Sequence, residues 1–396
     1  MKTKIALPIF LIIGIMVVFW VVRYSQDQFA VAEAVSTATV QQQILEEVQD
    51  AAPVEPPGIA EPPEIKEHVH SVKLAAIGDI LVSGSVYRDA HKKDGYDFTS
   101  MFEEVKPFLS AADLAIANQE TMLGGTELGL SEYPRFNSPK EMGTALQKAG
   151  IDVMTLANNH TLDRGEKAIL NTLDHLDKLG VINVGANRSA EDQARVRTVE
   201  KNGITFSFLA YTYGTNGIPL PKDKPYLVNL IDKEKMKKDI EKAKELSDVI
   251  VVSLHFGNEY ERMPNQTQKE LAQFLADQGV QIVIGHHPHV LQPVSWLTGA
   301  NGNQTFVAWS LGNFISGQDG KYKEVGGIVG IDVVKKVKGD LMTIELKEPT
   351  FLPTFCYKKN YRNYKIKPLA QVNPQTYEEI KAHMNQWVPE LKFVAP

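Results

Sequence analysis

Five separated segments of this chain share one design: an apolar run that stops at a residue able to ligate an ion or carry a proton. The densest case is Ile282-Val283-Ile284-Gly285-His286-His287-Pro288-His289, where three apolar residues meet a glycine and then three histidines. The other runs stop at Asp79, at Asn118-Gln119-Glu120, at Asn158-Asn159-His160 and at His255. Apolar runs this short suit buried strands better than helices. In open α/β sheets, functional groups gather at the carboxyl ends of strands. The pattern therefore asks for a fold that brings five strand ends to one edge.

Helical patterns separate the runs. Residues 98–109 have helical apolar spacing, and residues 166–179 place Ile169, Leu170, Leu173, Leu176 and Leu179 on one face until Gly180 stops the helix. Ser138-Pro139-Lys140-Glu141 reads as an N-cap, a first-turn proline and a capping-box glutamate opening a helix to Ala149. Further helices are expected over 232–246, 266–278 and 377–387. Asn202-Gly203 and Asn301-Gly302 mark hairpins, and 328–334 with 341–346 reads as a strand pair. No internal repeat is visible. Strands alternating with helices, then hairpins, predict an α/β domain with a sheet pair covered by helices.

Residues 5–22 form an uncharged stretch of 18 residues, about 27 Å long as a helix against a hydrocarbon core of ~30 Å. Lys2 and Lys4 precede it and Arg23 follows, so it reads as a membrane anchor over residues 1–23 with the N-terminus cytoplasmic and the body extracellular. The rival reading is a cleaved signal peptide, for which Ala30-Val31-Ala32 offers a cleavage site. Residues 24–71 are rich in proline and glutamate and read as a disordered linker, with His68 and His70 solvated. The globular domain is expected over 72–348, with 349–396 as a C-terminal extension packed on it. A net charge of −6 with dispersed basic residues argues against a nucleic-acid partner. The single cysteine, Cys356, excludes an intrachain disulfide and a Cys-rich zinc site.

The strand ends offer carboxylates, amides and imidazoles without thiolate. That donor set suits Mn, Fe or Zn, and it exceeds what one tetrahedral ion needs. Two ions about 3.5–4 Å apart, bridged by a carboxylate, would use it and leave room for hydroxide and phosphate. A spare histidine could then act as general acid. Taken singly, Asn158 reads as a turn residue and Asn313 as a turn-former supporting the site. Glu259 and Tyr260 read as supporting or substrate-contacting residues. Tyr211, Tyr213 and Arg135 are candidates to line a cleft, while His91, His175 and His383 are expected at the surface.

Six motifs occur in order: Gly78-Asp79, Asn118-x-Glu120, Asn158-Asn159-His160 with Leu162-Asp163-x-Gly165, His255-Phe256-Gly257-x-Glu259-Tyr260, Gly285-His286-His287-Pro288-His289-Val290, and Ser310-Leu311-Gly312-Asn313-Phe314. This succession resembles the CapA family of capsule and poly-γ-glutamate biosynthesis proteins, within the calcineurin-like metallophosphoesterase superfamily. The resemblance implies a four-layer α/β/β/α sandwich and one or two divalent ions. It implies metal ligation by Asp79, Glu120, Asn159, His255, His287 and His289, with Glu120 bridging, His160 as the acid, and Asn118 and His286 behind the ligands. Two departures stand out. Leu81 occupies the place of a usual histidine, and Glu120 that of a usual aspartate, so a mononuclear site is also compatible.

Two functions from different classes remain open at this point. One is a membrane-tethered metal-dependent hydrolase or transferase acting on a phosphoester, an anionic polymer or its precursor. The other is a non-catalytic accessory that binds the polymer within a capsule synthesis and export complex. An unrelated surface phosphoesterase is a third.

Overall fold

A computed structural model of the chain describes residues 20, 23–27, 37, 38, 41 and 66–394. The chain divides into two units, Met1–Glu64 and Ile65–Pro396. The expected anchor lies, apart from Trp20 and Arg23, outside the described residues, as does most of the expected linker. Among the described residues no helix is long and apolar enough to cross a membrane.

In the second unit, β1 (Glu67–Leu81) shows how the sequence builds its layers. Ala75 and Ile77 point to one apolar cluster, while Val72, Leu74 and Ala76 point to another. That is the period of two expected of a strand buried on both faces. The same alternation recurs in β9 (Val249–His255): Val249 and Val251 face the second cluster, Ile250, Val252 and Leu254 a third.

Two sheets carry these strands. In the larger, β1 lies between β4 (Leu114–Asn118), to which it is parallel, and β14 (Val325–Lys338), to which it is antiparallel. Beyond β4 come β5 (Val153–Thr155) and β6 (Ile182–Val184). Beyond β14 come β15 (Leu341–Lys359) and β16 (Arg362–Pro368). The short β13 (Asn313–Ser316) pairs with the end of β1, and β17 (Lys392–Phe393) with β15. The smaller sheet runs β11 (Leu291–Thr298), β12 (Gln304–Leu311), β10 (Ile282–His286), β9, β8 (Ile204–Thr212), β7 (Arg197–Lys201). Strands β2 (His91–Lys92) and β3 (Gly95–Tyr96) form a separate ribbon.

The first cluster joins the larger sheet to the helices Glu141–Ala149 and Gly165–Leu179. The second lies between the sheets, and the third joins the smaller sheet to the helices Lys233–Leu246 and Gln266–Asp277. The section through the unit is therefore helix, sheet, sheet, helix.

Several expectations need correction. β1 begins at Glu67, because Glu67 to Ser71 pair with β14, so the expected linker ends earlier than residue 71. His68 in this stretch is exposed; His70 is half-buried, its Nδ1 3.1 Å from the Asn202 carbonyl. β15 runs unbroken through residue 348, so the described residues 349–394 of the expected extension are part of the domain. The expected helix over 98–109 is a short 3-10 turn, Thr99–Met101, and the helix Lys106–Ser110. Pro107 has no N–H to offer the preceding turn. The capping box at Ser138 does not form, since Ser138 Oγ donates to Thr121 Oγ1 at 2.7 Å and Lys140 is the N-cap. His175 and His383 are half-buried, bonded to Thr144 Oγ1 and the Leu291 carbonyl, while His91 is exposed.

Candidate metal centre

Strand register assembles the site. Asp79 lies beside Asn118 in the larger sheet, and His255 beside His286 in the smaller. Pairing shifts at Asp79, where β1 leaves β14 and takes β13 as its neighbour. Close backbone approach demands glycine at two points: a Cβ on Gly78 would lie 1.9 Å from the Gly312 carbonyl oxygen, and one on Gly285 1.9 Å from that of Trp309. After Gly285 the chain turns through His287 and His289, both left-handed at φ 96° and 57°. Such conformations cost about 1–3 kcal/mol each for non-glycine residues and persist where the surroundings enforce them.

The turn brings the histidines onto the carboxylates. Asn118 Nδ2 donates to Asp79 Oδ1 at 2.8 Å, and His289 Nδ1 donates to Asp79 Oδ2 at 3.0 Å. His286 Nδ1 stands 3.5 Å from Asp79 Oδ1. His255 Nε2 lies 2.8 Å from Asn159 Oδ1, and Tyr213 stacks across His255 and tilts against His287. Asp79, Glu120, His255, His286, His287 and His289 are all buried.

Glu120 is the anomaly. Both its carboxylate oxygens are buried without a hydrogen-bond partner. The nearest imidazole nitrogens, His255 Nε2 and His289 Nε2, stand 3.5 and 3.6 Å from Oε1, too far to satisfy it. Both ring nitrogens of His286 and Nδ1 of His287 are likewise unpartnered. Buried polar atoms left this way are expensive. Two buried donor sets converge on Glu120: Asp79, Glu120 and His289, and Glu120, His255 and His287, each with ligand atoms within 4.8 Å of one another. A third set, Glu259, His287 and His289, includes the exposed Glu259. Orphaned oxygen and nitrogen donors facing one another fit a divalent cation, and the donor mixture fits Mn, Fe or Zn.

The electrostatics are those of a site built for positive charge. Burial pushes the Glu120 carboxyl well up, with Asp79 adding to it against the opposing pull of His289. Burial would raise Asp79 too, but the imidazoles of His286 and His289 beside it outweigh that and hold its carboxylate well below its usual range. Burial opposes charge on His289, yet Glu120 and Asp79 push it up to about 9. Burial and His289 bring His287 down to about 4, and burial with His287 lowers His255 well below the usual value. Neutral imidazoles at His255 and His287 are the form that binds metal.

His160 stands on the rim. Its Nδ1 lies 2.7 Å from Asp163 Oδ2, which also accepts the Phe136 N–H at 2.7 Å, and its ring meets the Phe136 ring edge-on. With Nδ1 committed to Asp163, Nε2 is the remaining ring nitrogen. His160, His289, Glu259, Tyr260 and Leu81 line a cavity of ≈ 490 Å³.

Of the other expected residues, Asn158 is a turn residue: its Oδ1 accepts the His160 N–H and its Nδ2 donates to the Gln119 carbonyl. Asn313 braces a neighbouring loop, donating to Gln318 Oε1 and the Lys323 carbonyl. Tyr211 does not line the cleft; its hydroxyl donates to Asp239 within the helix-side cluster. Arg135 is exposed and, among the described residues, makes no contact with the cluster. Sequence reasoning gave Asp163 no role, although its spacing of three from His160 was a readable signal. Asn216 carried none: it lies in a loop, its Oδ1 accepting from Asn159 Nδ2 at 3.2 Å.

Residues 73–318 match the family described as bacterial capsule synthesis protein PGA_cap. The chain is 30% identical over 303 residues to the PGA biosynthesis protein CapA of Bacillus subtilis (strain 168), covering 75% of this chain and 77% of that one. It is 29% identical over 254 residues to the capsule biosynthesis protein CapA of Bacillus anthracis, covering 62% and 60%. Among solved structures, the NAD nucleotidase NadN of Haemophilus influenzae aligns at 12% identity and a TM-score of 0.45, covering 82% of this chain and 57% of that one. The match over the strand ends and the loops between them places this chain in the PGA_cap family of bacterial capsule synthesis proteins.

Proposed function

We propose that this chain acts in capsule or poly-γ-glutamate synthesis and export through a metallophosphoesterase-like centre holding one or two divalent ions. Residues 5–22 would anchor it in the cell membrane with the body outside. The reading is carried by Glu120, a buried carboxylate without a hydrogen-bond partner, common to two donor sets.

In this reading Asp79, Glu120 and His289 hold one ion, and Glu120, Asn159, His255 and His287 the other. Bound there, divalent ions would supply an acidified water and counter-charge for a phosphoryl or acyl oxygen. The rest falls to the chain itself. His160, oriented by Asp163, presents Nε2 to the cavity as a proton donor for a leaving oxygen. Tyr213 covers the imidazoles of His255 and His287 on one side. The partners are the membrane synthesis complex and an anionic polymer.

The test combines polymer yield in cells, phosphoesterase assay and metal analysis of the purified chain. Loss of both polymer and phosphoesterase activity in His160→Ala is the expected result. Survival of polymer production in His160→Ala and His289→Ala, with failure only when residues 5–22 are removed, would replace catalysis by the accessory role. A purified chain without transition metal would sink the metal centre.

A further inference from the structure

The cavity beside His289 does not end at the histidines. Its wall residues Ser83, Glu132 and Gly317 also line a second cavity of ≈ 690 Å³, so the two form one groove along the surface. Arg88 and Arg362 stand in the far part of this groove. The turn leading into Arg362 at the start of β16 is held against backbone preference: Asn360, Tyr361 and Asn363 have φ of 51°, 57° and 57°. Asp89 holds it there, its two carboxylate oxygens accepting the Asn363 and Tyr364 N–H groups at 2.8 Å each. The Asp89 charge is thereby engaged by the backbone, and the Arg362 guanidinium has no acidic partner among the described residues.

Arg88 has one, and it is informative. Glu132 Oε2 lies 3.4 Å from both Nη1 and Nη2 of Arg88, with half of each side chain exposed. A long, solvated contact of this kind holds weakly. Glu132 also lines both cavities, so its carboxylate is an internal competitor for Arg88 within the groove.

We propose that this groove is a binding track for an extended chain bearing repeated carboxylates, with one segment at the ion centre and a following carboxylate on Arg88 and Arg362. Guanidinium suits this task, since its planar fork matches carboxylate geometry. The inference rests on the polymer reading above and narrows it: the substrate is a polyanionic chain rather than a small phosphoester.

The experiment uses the purified full-length chain and two probes, a synthetic γ-linked glutamate decamer and tripolyphosphate, with metal content measured alongside. In the double variant Arg88→Gln/Arg362→Gln, decamer binding should weaken about tenfold, as loss of two partly exposed charge contacts predicts, with metal content unchanged. Glu132→Gln should tighten decamer binding about twofold, by removing the competing carboxylate. That opposite sign cannot come from misfolding. Unchanged decamer affinity in the double variant, or no decamer binding by the unaltered chain, overturns the proposal. Arginine-dependent binding of tripolyphosphate alone overturns it as well, since the recognised anion would then be phosphate. A chain that binds decamer through the arginines yet holds no metal keeps the track and removes the centre, so the two failures are separable.

Discussion

Two polar clusters face the same cavity, and they are finished differently. Around His160 the chain supplies its own partners: Asp163 Oδ2 takes the imidazole and the Phe136 N–H, Asn158 takes the His160 N–H, and only Asp163 Oδ1 is left unpartnered. Around Glu120 the chain leaves both oxygens and three imidazole nitrogens unpartnered at similar burial. One cluster orients a proton carrier and is complete without a ligand. The other is complete only when something positive is added. Burial alone does not separate them; the hydrogen-bond count does.

The largest effect should come from ion removal. A ligand bound to the folded chain at a thousandfold above its Kd stabilises it by about 4 kcal/mol. Chelation should therefore lower the melting temperature seen by calorimetry, and Mn or Zn should restore it. A melting curve indifferent to both would mean the Glu120 cluster is as self-sufficient as the His160 cluster, and the contrast would fall. Next comes Asp163→Ala, which strands the His160 ring nitrogen and the Phe136 N–H in the interior. Unsatisfied buried groups cost about 1–3 kcal/mol. Urea unfolding should show a loss of that size with metal content intact; a loss of metal instead would merge the clusters.

The contrast inverts for Glu120→Gln. In the ion-loaded chain it should release metal. In the metal-free chain it should stabilise by about 1–2 kcal/mol, because a neutral amide replaces a carboxyl whose charge burial disfavours and which no hydrogen bond satisfies. Comparing metal-free Glu120→Gln with the metal-free unaltered chain reads this directly. A destabilised variant would show that the carboxylate is satisfied without an ion.

Much of this was legible before any coordinates. Asp79, Glu120, His255 and the triple histidine each follow an apolar run, and a run that stops at a strand's carboxyl end places its last residue on the site edge. Helix positions fared less well where apolar spacing had two solutions. Phe98, Met101, Phe102, Val105 and Leu109 all reach the core, as a helix would require, yet two short turns deliver them there. Boundaries failed where pairing, not composition, decides. Glu67 to Ser71 look like linker and are a strand because β14 lies beside them. Asn216 meets the site from a loop, Arg88 from the short helix Gly84–Ala90 and Arg362 from the start of β16, all far apart in sequence, and no local pattern announces such meetings.

Asn216 gives the smallest effect and the sharpest test of separateness, since it reaches both clusters. Its Oδ1 accepts from Asn159 Nδ2 at 3.2 Å, and its Nδ2 lies 3.3 Å from His160 Nδ1. That second contact is not a hydrogen bond when Nδ1 carries the proton it gives to Asp163, since two donors then face each other. Asn216→Ala should therefore destabilise by only about 0.5 kcal/mol, within the range of a partly exposed polar contact. In a double-mutant cycle with Asp163→Asn, the coupling should stay below about 0.5 kcal/mol, the additivity expected of independent sites. A coupling well above that would mean the Asp163–His160 pair and the Asn159–His255 arm respond as one network, with the proton on His160 set partly from the ion side.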